Sequence, residues 1–269
     1  MSEVNLLDQL ISAVQANPRY RAIDPGLIGA IGQEELLKRR SFKEAVKATR
    51  NKLHQVGGAY QENRIDYPRL ASELAELPAH ASNPAVQDYC RQVMAQHAST
   101  RERLPILERF FNETLQSLAP VTSILDLACG LNPFALPWMP LAAGATYDAC
   151  DIYQDMTGLI QQFFTHLGQA GAVTVTDLMA GTPTQPVQVA LLLKTLPCLE
   201  QLDKGIAPRL LAQINAPHLL ISYPARSLGG QSKGMVANYE AQFRELCAGQ
   251  PWTIQRFEFP SELVFLVSR

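Results

Sequence analysis

Nine residues, Leu125-Asp126-Leu127-Ala128-Cys129-Gly130-Leu131-Asn132-Pro133, combine an apolar run, a glycine and a proline in an order that can build a ligand loop. Val121 to Ala128 reads as a strand buried on both faces, and Gly130 marks a turn where backbone can approach a ligand closely. Pro133 stands where a helix tolerates a residue without an N–H, and the free N–H groups of such a helix start favour the negative end of a ligand. The next acidic segment, Tyr147-Asp148-Ala149-Cys150-Asp151-Ile152, brings Asp151 to 21 residues after Gly130. The dinucleotide fingerprint places a ribose-binding acid about 20 residues after its glycine loop. That pattern wants three glycines and this chain supplies one, so a plain buried strand-turn-helix stays open beside a nucleotide-type cofactor loop. The spacing favours the cofactor loop.

In a parallel sheet, ligands lie beyond the carboxyl ends of the strands. Asp126, Ala128 and Gly130 stand there after the first strand, Asp151 after the second, Asp177-Leu178 after the third and Lys194-Thr195-Leu196-Pro197 after the fourth. Asp177 suits an adenine amino group, with Leu178 packed on the ring, although an acid ending a strand equally caps a helix. Lys194 leaves the buried run Val189–Leu193 and either reaches solvent or enters the cleft; the position favours the cleft. The segment Tyr223–Met235 has glycines and two cations but no core pattern, which fits either a connector or a substrate loop whose Arg226 and Lys233 meet phosphates. Trp138 and Tyr153 are expected in the core more than stacked on a base. His54, His97, His166 and His218 lack ligand spacing and are read as structural or surface residues.

These positions need a scaffold. The first 118 residues show helical periodicity broken at Asn17-Pro18, Asp24-Pro25, Gly57-Gly58, Tyr67-Pro68 and Asn83-Pro84, which predicts several short helices. Ser99-Thr100-Arg101-Glu102 predicts a capped helix running to Leu118. Beyond it the expected order is strand 121–128, helix 133–142, strand 146–151, helix 155–167, strand 172–176, strand 187–193, helix 202–214, strand 218–223, helix 235–247 and strands 252–258 and 262–268. The alternation indicates a mainly parallel sheet. The few residues around Pro260 suit a hairpin, so the C-terminal edge is expected antiparallel.

At 269 residues the chain accommodates a helical unit over 1–98 and a larger α/β unit over 99–269. A hydrophobic fraction of 47% without low-complexity tracts indicates an ordered globular protein. Five cysteines with no CxxC pair suggest reduced thiols, a cytoplasmic setting and no metal site. No export signal or membrane span is read from the sequence. The net charge of −2 is uneven: residues 1–104 carry 14 Lys/Arg against 12 Asp/Glu, and the rest carry 9 against 13. From 38 to 52, Lys38, Arg39, Arg40, Lys43, Lys47, Arg50 and Lys52 face Glu44 alone. This is either a solvated helix face or a phosphate-contacting stripe.

Taken together, His97-Ala98-Ser99-Thr100-Arg101-Glu102-Arg103-Leu104, the Leu125–Pro133 string, Leu192–Glu200, Arg226-Ser227-Leu228-Gly229, Ser232-Lys233-Gly234-Met235, Asn238-Tyr239 and Ser261–Val267 resemble the aminoglycoside-resistance 16S ribosomal RNA (guanine-N7) methyltransferases. The resemblance implies a Rossmann-like class I methyltransferase sheet with an antiparallel C-terminal hairpin, preceded by an all-α N-terminal domain that docks on the assembled 30S subunit. It implies S-adenosylmethionine as cofactor and methylation of a decoding-site guanine in helix 44 of 16S rRNA.

By position, Arg101 resembles the arginine at the cofactor carboxylate, Ala128 and Gly130 lie at the methionine portion, and Asp151 with Ile152 lies at the ribose. Asp177 and Leu178 fall at the adenine, and Lys194 and Leu196 on the cleft strand next to cofactor and target. Lys194 is expected to position the reacting groups, with no general base. The basic residues from Lys38 to Lys52, together with Arg226 and Lys233, are the expected RNA contacts. Family members vary at Ile152-Tyr153-Gln154, so no family role falls to Tyr153. Competing readings are N1 methylation of the neighbouring adenine, a catalytically silent cofactor-fold RNA-binding protein and a small-molecule methyltransferase.

Overall fold

The protein, seen as a computed structural model, is described over residues 3–57, 65–226 and 234–269. Prolines and short polar caps start the N-terminal helices. α1 covers Glu3–Gln15. α2, Pro25–Lys38, begins with Asp24 accepting from the Leu27 amide, and α3, Phe42–Val56, with Ser41 accepting from the Glu44 amide. α4, Tyr67–Ala75, and α5, Pro84–Met94, are capped by Asp66 and Asn83. Each cap satisfies an amide that has no partner inside the helix, and proline at the first turn costs no hydrogen bond.

The expected single helix over 99–118 is divided. α6, Ala98–Arg101, is followed by a 3-10 turn at Leu104–Ile106, α7, Leu107–Leu115, and a second 3-10 turn at Gln116–Leu118. Pro105 is the cause, since its ring cannot continue an α-helix through that turn. Ser99 does not cap: the N-cap position is His97, and the Ser99 hydroxyl pairs with His97 Nδ1 at 2.9 Å.

Seven strands form one sheet in the order β3-β2-β1-β4-β5-β7-β6. They are β1 Val121–Leu127, β2 Leu141–Asp151, β3 Val173–Val175, β4 Val189–Leu193, β5 His218–Pro224, β6 Thr253–Glu258 and β7 Glu262–Ser268. Strands β1 to β5 pair in parallel, and β7 runs antiparallel to both β5 and β6. This is the α/β class I methyltransferase architecture with its C-terminal hairpin.

The expected helix 133–142 is instead a 3-10 stretch, Asn132–Trp138, with Pro137 inside it, and β2 begins five residues earlier than the sequence suggested. Pro137 and Pro140 prevent a longer helix there. On the other crossovers lie α8 Gln154–Leu167, α9 Thr195–Leu199, α10 Ile206–Gln213 and α11 Met235–Leu246.

The two faces of the sheet belong to two apolar cores. Ile124, Leu191, Leu220, Val264 and Leu266 join one cluster, while Leu125, Leu127, Leu192, Ile221 and Phe265 join the other. Alternation along each strand produces the division. The first cluster runs without interruption from Leu10 and Ile28 in the N-terminal helices to Phe163 and Phe164 on α8. The N-terminal helices therefore share the core of the sheet, with α4 packed on α8 and α3 on α9.

Candidate active site

A cleft opens at the carboxyl ends of β1 to β4. Its floor is the β1 exit, where Ala128 has φ 51° and Gly130 φ 53°. Ala128 pays roughly 1–2 kcal/mol for that left-handed conformation. Glycine at 130 also avoids a tight contact, because a Cβ there would sit 3.3 Å from the His97 ring, which would have to give by a few tenths of an ångström. Lys194, at the end of β4, is the other non-glycine residue with positive φ among the described residues, at 61°. Backbone strain of this kind clusters where a fold holds a ligand.

Asp151 ends β2 and is 7% exposed. Its Oδ2 accepts from the Gly130 amide at 2.9 Å and its Oδ1 from the Ile152 amide at 2.7 Å. A carboxylate offers about four acceptor sites, more than these amides fill, so acceptor capacity remains for a ligand hydroxyl. Burial raises the Asp151 carboxyl above its ordinary value, against the opposing pull of the Gly130, Ile152 and Tyr153 amides. Asp177, beyond β3, is also raised by burial; the Met179 amide opposes this and the nearby Asp24 charge adds to it. Ile152, Met156, Leu178, Leu199 and Leu202 supply an apolar lining to the cleft that both carboxylates share. A buried acceptor, Asp151, and a half-buried one, Asp177, in a cleft with an apolar lining fit a ribose diol and an adenine with its amino group, the parts of S-adenosylmethionine that present such donors.

The remaining expected cofactor residues divide. Ala128, Gly130, Ile152, Leu178 and Lys194 line the cleft, whereas Leu196 is fully buried in the core beneath it. Arg101 is exposed on α6 and is not among the lining residues, although its neighbours His97 and Ser99 are. Tyr153 lines the cleft while 4% exposed, and Trp138 lies away from it beneath the Arg91 guanidinium.

Behind the floor is a polar network that sequence reasoning missed. Arg103 makes a two-point ion pair with Glu262 on β7, at 2.8 and 2.9 Å, and donates to Asn132 Oδ1 at 2.7 Å. Asn132 and Tyr147 both donate to Asp126 Oδ2, and Ser222 donates to Glu262. The Lys194 ammonium contacts Glu102 at 2.6 Å and Glu262 at 3.6 Å. The network ties the 97–104 linker to β1, the 130–132 turn, β4 and β7. Burial pushes Asp126 up to about 7 despite its two donors. Burial also raises Glu262, but the charges of Arg103 and Lys194 reverse this and hold it below the usual carboxylate range. Only the Glu-Leu-hydrophobic string at β7 hinted at Glu262; Arg103 had no local signal.

Burial, with the charges of Lys194, Arg101 and Arg103, lowers the His97 imidazole to about 4. The unfolded chain takes up that proton near 6.5 and the folded chain near 4, so the contribution is present at neutral pH and lost as pH falls between those values. Comparison of wild type with His97→Gln cancels the opposing titration of Asp126. The stability advantage of wild type over the variant should shrink by about 2 kcal/mol between pH 7 and pH 4.5, measured by urea unfolding at both pH values. A constant difference would show that the ring is already solvated when folded.

The basic residues from 38 to 52 do not form one stripe. Lys38 pairs with Glu34, Arg39 with Glu35, and Lys52 with both acids. Arg50 donates to the Ala13 carbonyl and pins α3 to α1. Arg40, Lys43 and Lys47 are exposed and their side-chain cations make no ion pair among the described residues, although the Arg40 amide donates to the Glu44 carboxylate at 3.3 Å. Glu34 and Glu35 lie just before the run, where the sequence offered no reason to count them against it. Arg226 is exposed after β5, and Lys233 lies outside the described residues. Among the described residues, no group of three or more His, Cys, Asp or Glu could hold a metal, and no helix is long and apolar enough to cross a membrane.

Comparison with known proteins agrees with this geometry. A family model described as ribosomal RNA methyltransferase (FmrO) matches residues 16–266. A 16S rRNA (guanine(1405)-N(7))-methyltransferase of Micromonospora echinospora is 34% identical over 98% of this chain and 97% of its own length. A protein of the same name from Serratia marcescens is 32% identical over 99% of both. The crystal structure of the 16S rRNA methyltransferase RmtF in complex with S-adenosyl-L-homocysteine superposes with a TM-score of 0.84 at 30% identity, covering 100% of this chain and 99% of that one. The 16S rRNA methylase RmtB superposes at 0.80 with 27% identity over 98% of both chains. With its strained β1 turn, its buried acid at the end of β2 and this match over nearly its whole length, the chain belongs to the FmrO family of ribosomal RNA methyltransferases.

Proposed function

We propose that this protein transfers the methyl group of S-adenosylmethionine to N7 of a guanine in 16S rRNA. We place that guanine at the decoding site, in helix 44 of the assembled 30S subunit within the cytoplasm, so that the modification confers aminoglycoside resistance. The observation that carries the reading is Asp151, buried at the end of β2 and clasping the Gly130 turn, in a chain whose relatives are named guanine-N7 methyltransferases. Those names favour N7 of guanine over N1 of adenine. An intact cleft speaks against a silent RNA-binding protein.

The cofactor supplies an electrophilic methyl on a sulfonium. Guanine N7 presents a lone pair and no proton, so the chain must align the two atoms and exclude water, and no general base is required. Asp151 would hold the ribose diol through its remaining acceptor capacity, and Asp177 would take the adenine amino group with Leu178 against the ring. Lys194 is held by Glu102 and by the Ser99 carbonyl, 3.3 Å away, and keeps the 99–102 linker closed over β4. Arg101, on that linker, is assigned to the cofactor carboxylate. The product guanine is cationic and carries a methyl group, which disfavours a drug whose ammonium groups contact that base.

Mass mapping of 16S rRNA from cells expressing the protein tests the assignment, with one methyl at a decoding-site guanine N7 as the expected result. A methyl on adenine N1, or none, rejects it. Asp151→Ala should weaken S-adenosylhomocysteine binding by about 1.5–3 kcal/mol in calorimetry, the usual worth of hydrogen bonds to a charged group. Unchanged affinity in the folded variant would remove Asp151 from the ribose site.

A further inference from the structure

The N-terminal helices reach into the cofactor cleft. The Asp24 amide donates to the Ile152 carbonyl at 2.9 Å, the Gln154 amide to the Ala22 carbonyl at 2.8 Å, and Ile23 bridges Tyr153 in antiparallel fashion. The segment that follows the ribose acid is thus stitched to the segment that starts α2. Two residues of the N-terminal helices then line the cleft itself. Leu27, 3% exposed, stands in the first turn of α2, and Gly57 stands at the C-cap of α3. A Cβ on Gly57 would lie 2.8 Å from the Tyr153 hydroxyl and 3.0 Å from its ring, so this position must remain a glycine for Tyr153 to keep its place in the lining. On the opposite lip α3 packs against α9, which follows Lys194. Asp24, whose carboxylate starts α2 at the Leu27 amide, is close enough to Asp177 for its charge to be felt there. Leu27, Asp177 and Leu178 line the same cleft, and the hydrogen bond from the Leu27 amide to Asp24 ties the start of α2 to it, so Leu27 adds an apolar side chain from the N-terminal helices to that lining.

We propose that the N-terminal docking helices form the outer wall of the adenine end of the cofactor site, with Leu27 covering the base and Gly57 holding Tyr153 in register. The inference rests on the cofactor reading given above. It makes the rRNA-docking helices part of the cofactor site, so that cofactor occupancy tightens them against the sheet.

The test uses the full chain and calorimetry with two ligands, S-adenosylhomocysteine and 5′-methylthioadenosine, the second carrying the adenosine end without the amino acid. Leu27→Ala should weaken both by about tenfold, the effect of uncovering one face of the base. Leu27→Met should restore binding to within about threefold of wild type. Gly57→Ala should weaken both ligands as well. Leu74→Ala removes a buried leucine from α4, away from the cleft, and should leave affinity unchanged. Asp151→Ala controls the underlying reading: if it binds as wild type does, that reading falls and takes this one with it. If Asp151→Ala loses the ligand while folded Leu27→Ala keeps both within twofold, the wall inference alone is overturned. An equal loss in Leu27→Ala and Leu74→Ala would overturn it also, as general loosening. If Leu27→Ala does not fold, amide exchange of wild type decides. S-adenosylhomocysteine should slow exchange at 22–28 and 53–57, and unchanged exchange there overturns the proposal.

Discussion

Arg103→Met should lower the unfolding free energy by roughly 3–5 kcal/mol, the largest stability loss expected of any single substitution in the site. The reason is what remains behind. Glu262 is fully buried, and with the guanidinium gone it keeps the Ser222 hydroxyl and a Lys194 ammonium 3.6 Å away, which is too little to compensate a carboxylate out of water. Asn132 would also lose the donor that fixes its amide, and with it the orientation of the Asp126 contact beneath the Gly130 turn.

The pair is not itself a large source of stability, since removing both charges together leaves no uncompensated buried carboxylate, only the lost neutral contacts of Asn132 and Ser222. The double variant Arg103→Met with Glu262→Leu should therefore recover much of the loss. Urea unfolding at pH 7 of wild type, single and double variants makes the comparison. Because Glu262 is held below its ordinary range, its contribution is present above about pH 4.5 and fades on acidification; the deficit of the single variant should narrow there. A single variant within 1 kcal/mol of wild type would mean that the linker is not anchored by this pair.

Charge reversal at Arg40, Lys43 and Lys47 should abolish resistance while leaving the cofactor site intact. These three cations lie exposed on the 39–41 connection and the first turns of α3 and form no side-chain ion pair among the described residues, so they remain available for phosphates. Each phosphate contact contributes close to one unit of the dependence of log affinity on log salt, so the triple variant with Glu should flatten that slope for the 30S subunit by about two to three. S-adenosylhomocysteine affinity and the urea midpoint should stay near wild type. Lys52→Met makes the contrasting case. Lys52 is committed to Glu34 and Glu35, and its loss should lower stability and leave the salt slope unaltered. An unchanged slope in the triple variant, or efficient methylation of protein-free 16S rRNA, would sink docking by the N-terminal helices and leave recognition to the catalytic unit.

Local chemistry was legible before any coordinates. Asp24-Pro25, Tyr67-Pro68 and Asn83-Pro84 mark breaks in the helical periodicity, and α2, α4 and α5 start at them behind the caps Asp24, Asp66 and Asn83, because a cap and a fixed φ act within four residues. The continuous apolar run of β4 and the buried second half of β1 announce strands covered on both faces, and the short join at Pro260 announces the antiparallel hairpin. Gly130 and Asp151 were found by spacing, since one βαβ step sets the distance between a turn and the next strand end, and the sheet brings the pair together at 2.9 Å.

The contacts that complete the site have no such local signature. Arg103 and Glu262 are 159 positions apart and meet because β7 inserts between β5 and β6. Leu27 and Gly57 reach the cleft because the N-terminal helices share the core of the sheet, a matter of docking and not of helix period. Leu196 falls under the cleft because α9 turns its apolar side to the second core, and the basic run divides because Glu34 and Glu35 on α2 face α3. Turns, caps and alternation depend on neighbours a few residues away, so the sequence by itself determined them. Which charge is neutralised, and which side chain lines the cleft, depends on surfaces brought together across the whole chain, and only the tertiary structure decided those.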